Sequence, residues 1–334
     1  DGVYMSADGG LHWQRRSAGL PTPSAIYALA FDDSGKKLFA AADTGLFFST
    51  NAGQSWMIMS HLPNDGYSSI AFDLKAAQSI FVASRHHGLL YSSNGGLSWA
   101  SISAGLPVSM TINSLTFDSN QHQLWVATDQ GIYLSSNNGS SWLAANIGLP
   151  TGASINDVLP ASVYGGNPDV IYAGTSQGFY LSQDQGAHWM PSQTALVRVN
   201  ILAILIDVQS ASTVYIATDK VGVLRSTDNG QNWSSVAPGL PTTKPVYAIV
   251  QGATNYSQLF AATNDVYLFS GTGSIFDPTR LLPLLLVVVF FLLLIRLSSR
   301  SRRGARNMLK PERIIESNGT PTDEAKPDNP PHKA

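Results

Sequence analysis

Residues 135–142 read SSNNGSSW, a polar octet closed by a tryptophan. Nothing in it resembles catalytic machinery or a buried core. The same template, S-x-(D/N)-x-G-x-x-W, recurs elsewhere in the chain, and internal repetition decides a fold before any local reading can. Its copies are SADGGLHW (Ser6, Asp8, Gly10, Trp13), STNAGQSW (Ser49, Asn51, Gly53, Trp56) and SSNGGLSW (Ser92, Asn94, Gly96, Trp99). The opening octet itself (Ser135, Asn137, Gly139, Trp142), SQDQGAHW (Ser182, Asp184, Gly186, Trp189) and STDNGQNW (Ser226, Asp228, Gly230, Trp233) complete the set. The six tryptophans are spaced by 43, 43, 43, 47 and 44 residues, while Trp125 lies outside the template. A glycine and an apolar run precede the octets, as in GLFFS, GLLYS and GIYLS, and GLP or a close relative often follows. One supersecondary unit is copied along the chain.

A single period holds four short runs of alanine and β-forming residues, 26–31, 38–42, 46–49 and 55–59, separated by Asp, Gly, Asn and Pro. No run sustains a helical period. Four strands in a repeat of roughly 40–50 residues is the arithmetic of a β-propeller blade. The octet falls between strands three and four as a turn, where Asp or Asn bonds the backbone ahead of it and Gly takes positive φ. The tryptophan then opens strand four and packs between blades. Five repeats are complete, at about 25–63, 67–107, 111–150, 154–194 and 198–241. Residues 1–18 carry only strands three and four, and 245–270 only strands one to three. Both ends therefore supply a third strand, which favours an all-β propeller of seven blades, its first two strands ahead of Asp1, over one of six.

These repeats resemble the Asp-box units of sialidases, sortilin-type receptors, some plant-polysaccharide hydrolases and the photosystem II stability and assembly factor family. The resemblance covers residues 1–275 and is closest in style to the last group. It implies a propeller in which the box is a turn on the face away from the ligand site, so the octet residues named above are scaffold. Sialidases, as the resemblance implies, pair a tyrosine with a glutamate and clamp a carboxylate with three arginines. Here the glutamates are Glu312, Glu316 and Glu324, and the propeller arginines are Arg15, Arg16, Arg85, Arg198 and Arg225. Sialidase chemistry is not expected.

A hydrolase using two carboxylates would have Asp43, Asp129 and Asp219 to draw on, in turns between strands two and three, although Asp before Gly reads first as a turn residue. His86 and His87 break the pattern of those turns. A metal site would need further ligands, and no metal or cofactor is expected. The absence of cysteine excludes disulfides and thiolate sites.

At Leu281 the composition changes to LLPLLLVVVFFLLLI, followed by a basic stretch from Arg296 to Arg313. Residues 276–299 are read as one transmembrane helix, short for a bilayer unless Arg296 snorkels. The basic residues predict a cytoplasmic tail, 300–334, and an extracytoplasmic propeller. Residues 1–280 hold 11 Lys and Arg against 17 Asp, a net of −6, and residues 281–334 a net of +4. A propeller that acidic is a poor nucleic-acid ligand. The expected function is a membrane-anchored, non-enzymatic scaffold for a protein partner, the alternative a cell-surface glycan-binding or glycoside hydrolase-like protein. Binding is expected on the face opposite the octets, through Arg85, His86, His87, Asp219 and Lys220, which depart furthest from the turn pattern.

Overall fold

The second strand of each repeat has no polar face. Leu38–Ala42 (LFAAA), Ile80–Ser84 (IFVAS) and Ile171–Thr175 (IYAGT) are buried along their whole length. A sheet with such a strand must be covered on both sides, and a flat stack of small sheets does this only if each lies between two others. The computed structural model describes residues 2–270 apart from 9, 11, 33, 77, 193–195, 237–243, 253–255, 257 and 264–265. In it, four-stranded antiparallel sheets at 26–58, 67–101, 112–144, 155–191 and 201–235 stand around an axis as blades 1 to 5, and the three-stranded sheet 248–270 is blade 6. Their first strands, Ile26–Phe31, Tyr67–Phe72, Ile112–Asp118, Ile155–Pro160, Ile201–Asp207 and Ala248–Gln251, are innermost and line a central channel.

The core is divided accordingly. Five hydrophobic clusters are shared between successive blades rather than held within one. An aromatic ring at the same place in every second strand anchors them: Phe39, Phe81, Trp125, Tyr172, Tyr215 and Phe260 are all buried. Trp125, the tryptophan outside the template, is one of this series.

Six blades reach the channel where the sequence favoured seven. The remaining hairpin, Tyr4–Met5 with Gln14–Arg15, has only two strands and sends none to the axis. It lies between blades 6 and 1: a Cβ on Gly10 would meet Phe260 at 2.9 Å, as one on Gly186 would meet Trp125 at 2.7 Å. On its other side, Arg16 O accepts the indole N–H of Trp56 at 2.8 Å. No helix among the described residues is long and apolar enough to cross a membrane. The span read at 276–299 and the tail at 300–334 lie outside the described residues.

Candidate functional site at the channel mouth

The octets close the far end of the blades as hydrogen-bonded turns. Ser135 Oγ accepts the Gly139 N–H at 2.8 Å and donates to Asn137 Oδ1 at 2.9 Å, and Asn137 Oδ1 accepts the Ser141 N–H at 2.9 Å. Ser182, Asp184 and Gly186 repeat the pattern. There the His188 N–H and ring, with Ser182, hold the Asp184 carboxyl down at about 2. Four of the octet tryptophans tie their blade to the preceding repeat: Trp56 Nε1 donates to Arg16 O, Trp142 Nε1 to Ile102 O and Trp189 Nε1 to Ala145 O, each at 2.8 Å, and Trp233 Nε1 to Ser192 Oγ at 2.9 Å. The octet at 135–142 is one of these joints. Its tryptophan fastens one blade to the last.

At the opposite end, the turn between strands two and three is tied to the link that enters the inner strand. Asp43 Oδ1 accepts the Ala25 N–H at 3.0 Å, Asp129 Oδ1 the Thr111 N–H at 2.8 Å, and Asp219 Oδ1 the Asn200 N–H at 3.2 Å. In blade 4, Ser176 Oγ accepts the Ser154 N–H at 3.1 Å. Blade 2 makes the same tie with the acid on the other partner. Arg85 occupies the turn position of Asp43, and the carboxylate is Asp65, in the link. Asp65 accepts the His86 N–H at 2.8 Å, His86 Nδ1 at 2.7 Å, His87 Nδ1 at 3.2 Å and the Ser84 hydroxyl. A carboxylate only accepts, so both rings carry their proton on Nδ1. Burial acts against ionisation of Asp65, whose side chain is 5% exposed, but the bonds from Ser84, His86 and His87 outweigh it and hold the carboxyl well below the usual range. Among the described residues no group of three or more His, Asp or Glu could hold a metal ion.

The inner strands begin with a shared irregularity. In blades 1 to 5 the pairing slips by one residue, at Tyr27, Ser68, Asn113, Asn156 and Leu202. Tyr247 holds the same place ahead of Ala248–Gln251. These six equivalent residues ring the channel mouth, where a cavity of about 580 Å³ opens with Arg85 on its rim. Several of them fasten the next blade: Asn113 Nδ2 donates to Ile155 O and Asn156 Nδ2 to Ile201 O, each at 2.8 Å, and Ser68 Oγ to Ile112 O at 3.4 Å. Tyr27 and Tyr247 instead stand 39% and 56% exposed. Deeper in the wall, burial pushes the Asp157 carboxyl up despite its bonds from the Ile204 N–H and Ser114.

Of the five residues proposed from sequence to bind, only Arg85 lines this mouth. His86 and His87 brace Asp65, and Asp219 caps a backbone N–H. Lys220 Nζ donates to Arg198 O at 2.9 Å. Sequence reading passed over Asp65, Tyr27 and Tyr247. Setting the repeats in register would have found Asp65, because it faces a turn that lacks its aspartate, whereas the column of the two tyrosines also holds Ser68, Asn113, Asn156 and Leu202.

No protein-family model matches the chain, and no curated protein sequence matches it. Solved structures do. An ancestral GH74 enzyme aligns over 82% of this chain and 43% of its own length, with 20% identity and a TM-score of 0.63. The GH74 xyloglucanase of Xanthomonas campestris aligns over 82% and 47%, with 16% identity and a TM-score of 0.60. YCF48 from Cyanidioschyzon merolae aligns over 79% and 98%, with 17% identity and a TM-score of 0.44. The chain thus spans less than half the length of the two GH74 enzymes. At these identities the similarity to those enzymes bears on the fold alone, and the fold is that of a β-propeller.

Proposed function

We propose that the chain is a non-enzymatic binding propeller that takes a protein partner on its mouth face, held at a membrane by residues 276–299 with the propeller outside and the tail in the cytoplasm. The observation that carries this reading is the open mouth, where Tyr27 and Tyr247 present exposed rings beside Arg85 and a cavity of about 580 Å³. Aromatic and arginine side chains are the residues that anchor protein interfaces. Val197 and Val221 add exposed apolar surface at the neighbouring turns, at 54% and 36%. A glycoside hydrolase would need two carboxyl groups free to face a bond, whereas Asp43, Asp129 and Asp219 each accept a backbone N–H and Asp65 is held by two histidines.

The test is a variant carrying Arg85→Ala, Lys220→Ala and Tyr247→Ala, which leaves the Asp65 and Asp219 ties intact. It is expected to keep the parent's thermal midpoint and to lose the proteins that the parent retains and crosslinks from membrane extracts. Retention of the same proteins by the variant would remove the mouth face from the reading. Release of reducing ends from xyloglucan by the parent would overturn its non-enzymatic part.

A further inference from the structure

The exchange of charge in blade 2 leaves Arg85 without an acid. The tie between turn and link is made by Asp65 and the histidines, and among the described residues no carboxylate lies within salt-bridge distance of an arginine. The guanidinium is placed by a ring instead, 4.4 Å from the centroid of Tyr27 in blade 1. An arginine stacked in this way keeps the N–H groups at its edge for another acceptor, in a fork that fits two oxygens of one group.

The side-chain amides around the mouth are already engaged. Asn113 Nδ2 gives its two hydrogens to Ser154 Oγ and Ile155 O, and Asn156 Nδ2 gives its two to Asn200 Oδ1 and Ile201 O. A ligand entering the mouth meets one cationic fork and two exposed phenols. The cationic fork suits an anion, and the rings suit a flat apolar group carried beside it.

We infer that the channel mouth is a binding site for an oxyanion, a carboxylate or a phosphate, borne next to a flat ring, with Arg85 on the anion and Tyr27 and Tyr247 flanking the ring. The site deepens the binding-face reading and rests on it. The anion can belong to a peptide or to a free small molecule, and the probes separate the two.

The experiment measures binding to the full chain in detergent by calorimetry and ligand-observed NMR. Benzoate and phenyl phosphate serve as free anions, with benzamide as their neutral partner. Acetyl-Gly-Phe with a free carboxylate and its C-terminal amide serve as the peptide pair, and cellotetraose as a neutral glycan. The acids are expected to bind, and their neutral partners to bind at least about tenfold more weakly. Arg85→Gln should abolish the difference, and Tyr247→Ala should weaken every acid. Tighter binding of the peptide acid assigns the site to a protein, and tighter binding of benzoate or phenyl phosphate to a free molecule. Tyr27→Leu, which removes the platform and keeps the charge, serves if Arg85→Gln does not fold and should also weaken the acids. Absence of binding by any acid, equal binding by parent and variant, or equal binding of cellotetraose would overturn the site. Partner capture that persists while every acid fails overturns this site alone, and acid binding without partner capture overturns only the protein-scaffold reading.

Discussion

Gly148 and Gly105 hold the same place in successive repeats with nearly the same backbone, φ +94° and +90°, yet their surroundings differ. A Cβ on Gly148 would stand 2.1 Å from the carbonyl oxygen of Trp189, while at Gly105 nothing lies within 4 Å. Alanine at either site incurs left-handed backbone strain of about 1–2 kcal/mol. Only at Gly148 does it also strike a main-chain atom that cannot rotate away. Gly148→Ala should therefore cost on the order of 2 kcal/mol more than Gly105→Ala in denaturant unfolding, and equal losses would mean that the link simply shifts. Asp65 gives a pH counterpart. Its folded carboxyl is held below the unfolded value, so its contribution is complete above that unfolded value, about 3.9, and is lost as pH falls toward the folded one. Asp65→Asn should be less stable than the parent at pH 7, by a margin that narrows below about pH 4. A margin constant from pH 7 to pH 3 would refute the assignment. The octets were legible because their bonds close within eight residues. Asp65 was not, because its histidine partners lie 21 and 22 residues along the chain and the exchanged acid shows only when link and turn are read together.

Strands are the next scale, and there the repeat predicted number and order well. The first three strands of the repeat at 25–63 sit where the apolar runs placed them. The fourth shrinks from 55–59 to Met57–Ile58, because an outermost strand pairs on one side only and Trp56 turns inward to the preceding repeat. The slip near the start of each inner strand had no sequence signal, since residues as different as Tyr27, Ser68, Asn156 and Leu202 occupy it. What unites them is position at the mouth, where the side chain either reaches the next blade or faces the opening. Asn156→Ala would leave Ile201 O without its amide donor at the blade 4 and blade 5 boundary. The expected cost is about 1–3 kcal/mol. Amide exchange in Ile201–Asp207 should quicken more than in Ile26–Phe31. Uniform change across the ring would mean that these bonds do not act at the blade boundary.

Over the whole molecule, the division into two faces has a consequence for orientation. The last described strand, Val266–Ser270, runs from the mouth to the octet end, and Ser270 takes the place that Ser49 and Ser135 hold at the start of an octet. The proposed span, 276–299, begins six residues beyond Ser270, so the connection reaches at most about 20 Å when fully extended. If that segment crosses the bilayer as proposed, the octet face is tethered toward the membrane and the mouth points away from it, open to a partner. On the proposed topology, the basic stretch after Arg296 stays in the cytoplasm and the propeller lies outside. Because the chain has no cysteine, single labels can test both points. Asn138→Cys marks the octet face and Val221→Cys the mouth. In intact cells both should react with an impermeant maleimide, whereas Ser317→Cys in the tail should react only after lysis. In vesicles, a fluorophore on Asn138→Cys should be quenched by headgroup-labelled lipid more strongly than one on Val221→Cys. Labelling of the tail in intact cells would reverse the topology. Equal quenching at the two faces would mean that the tether leaves the ring free to turn, and the mouth would have no preferred direction.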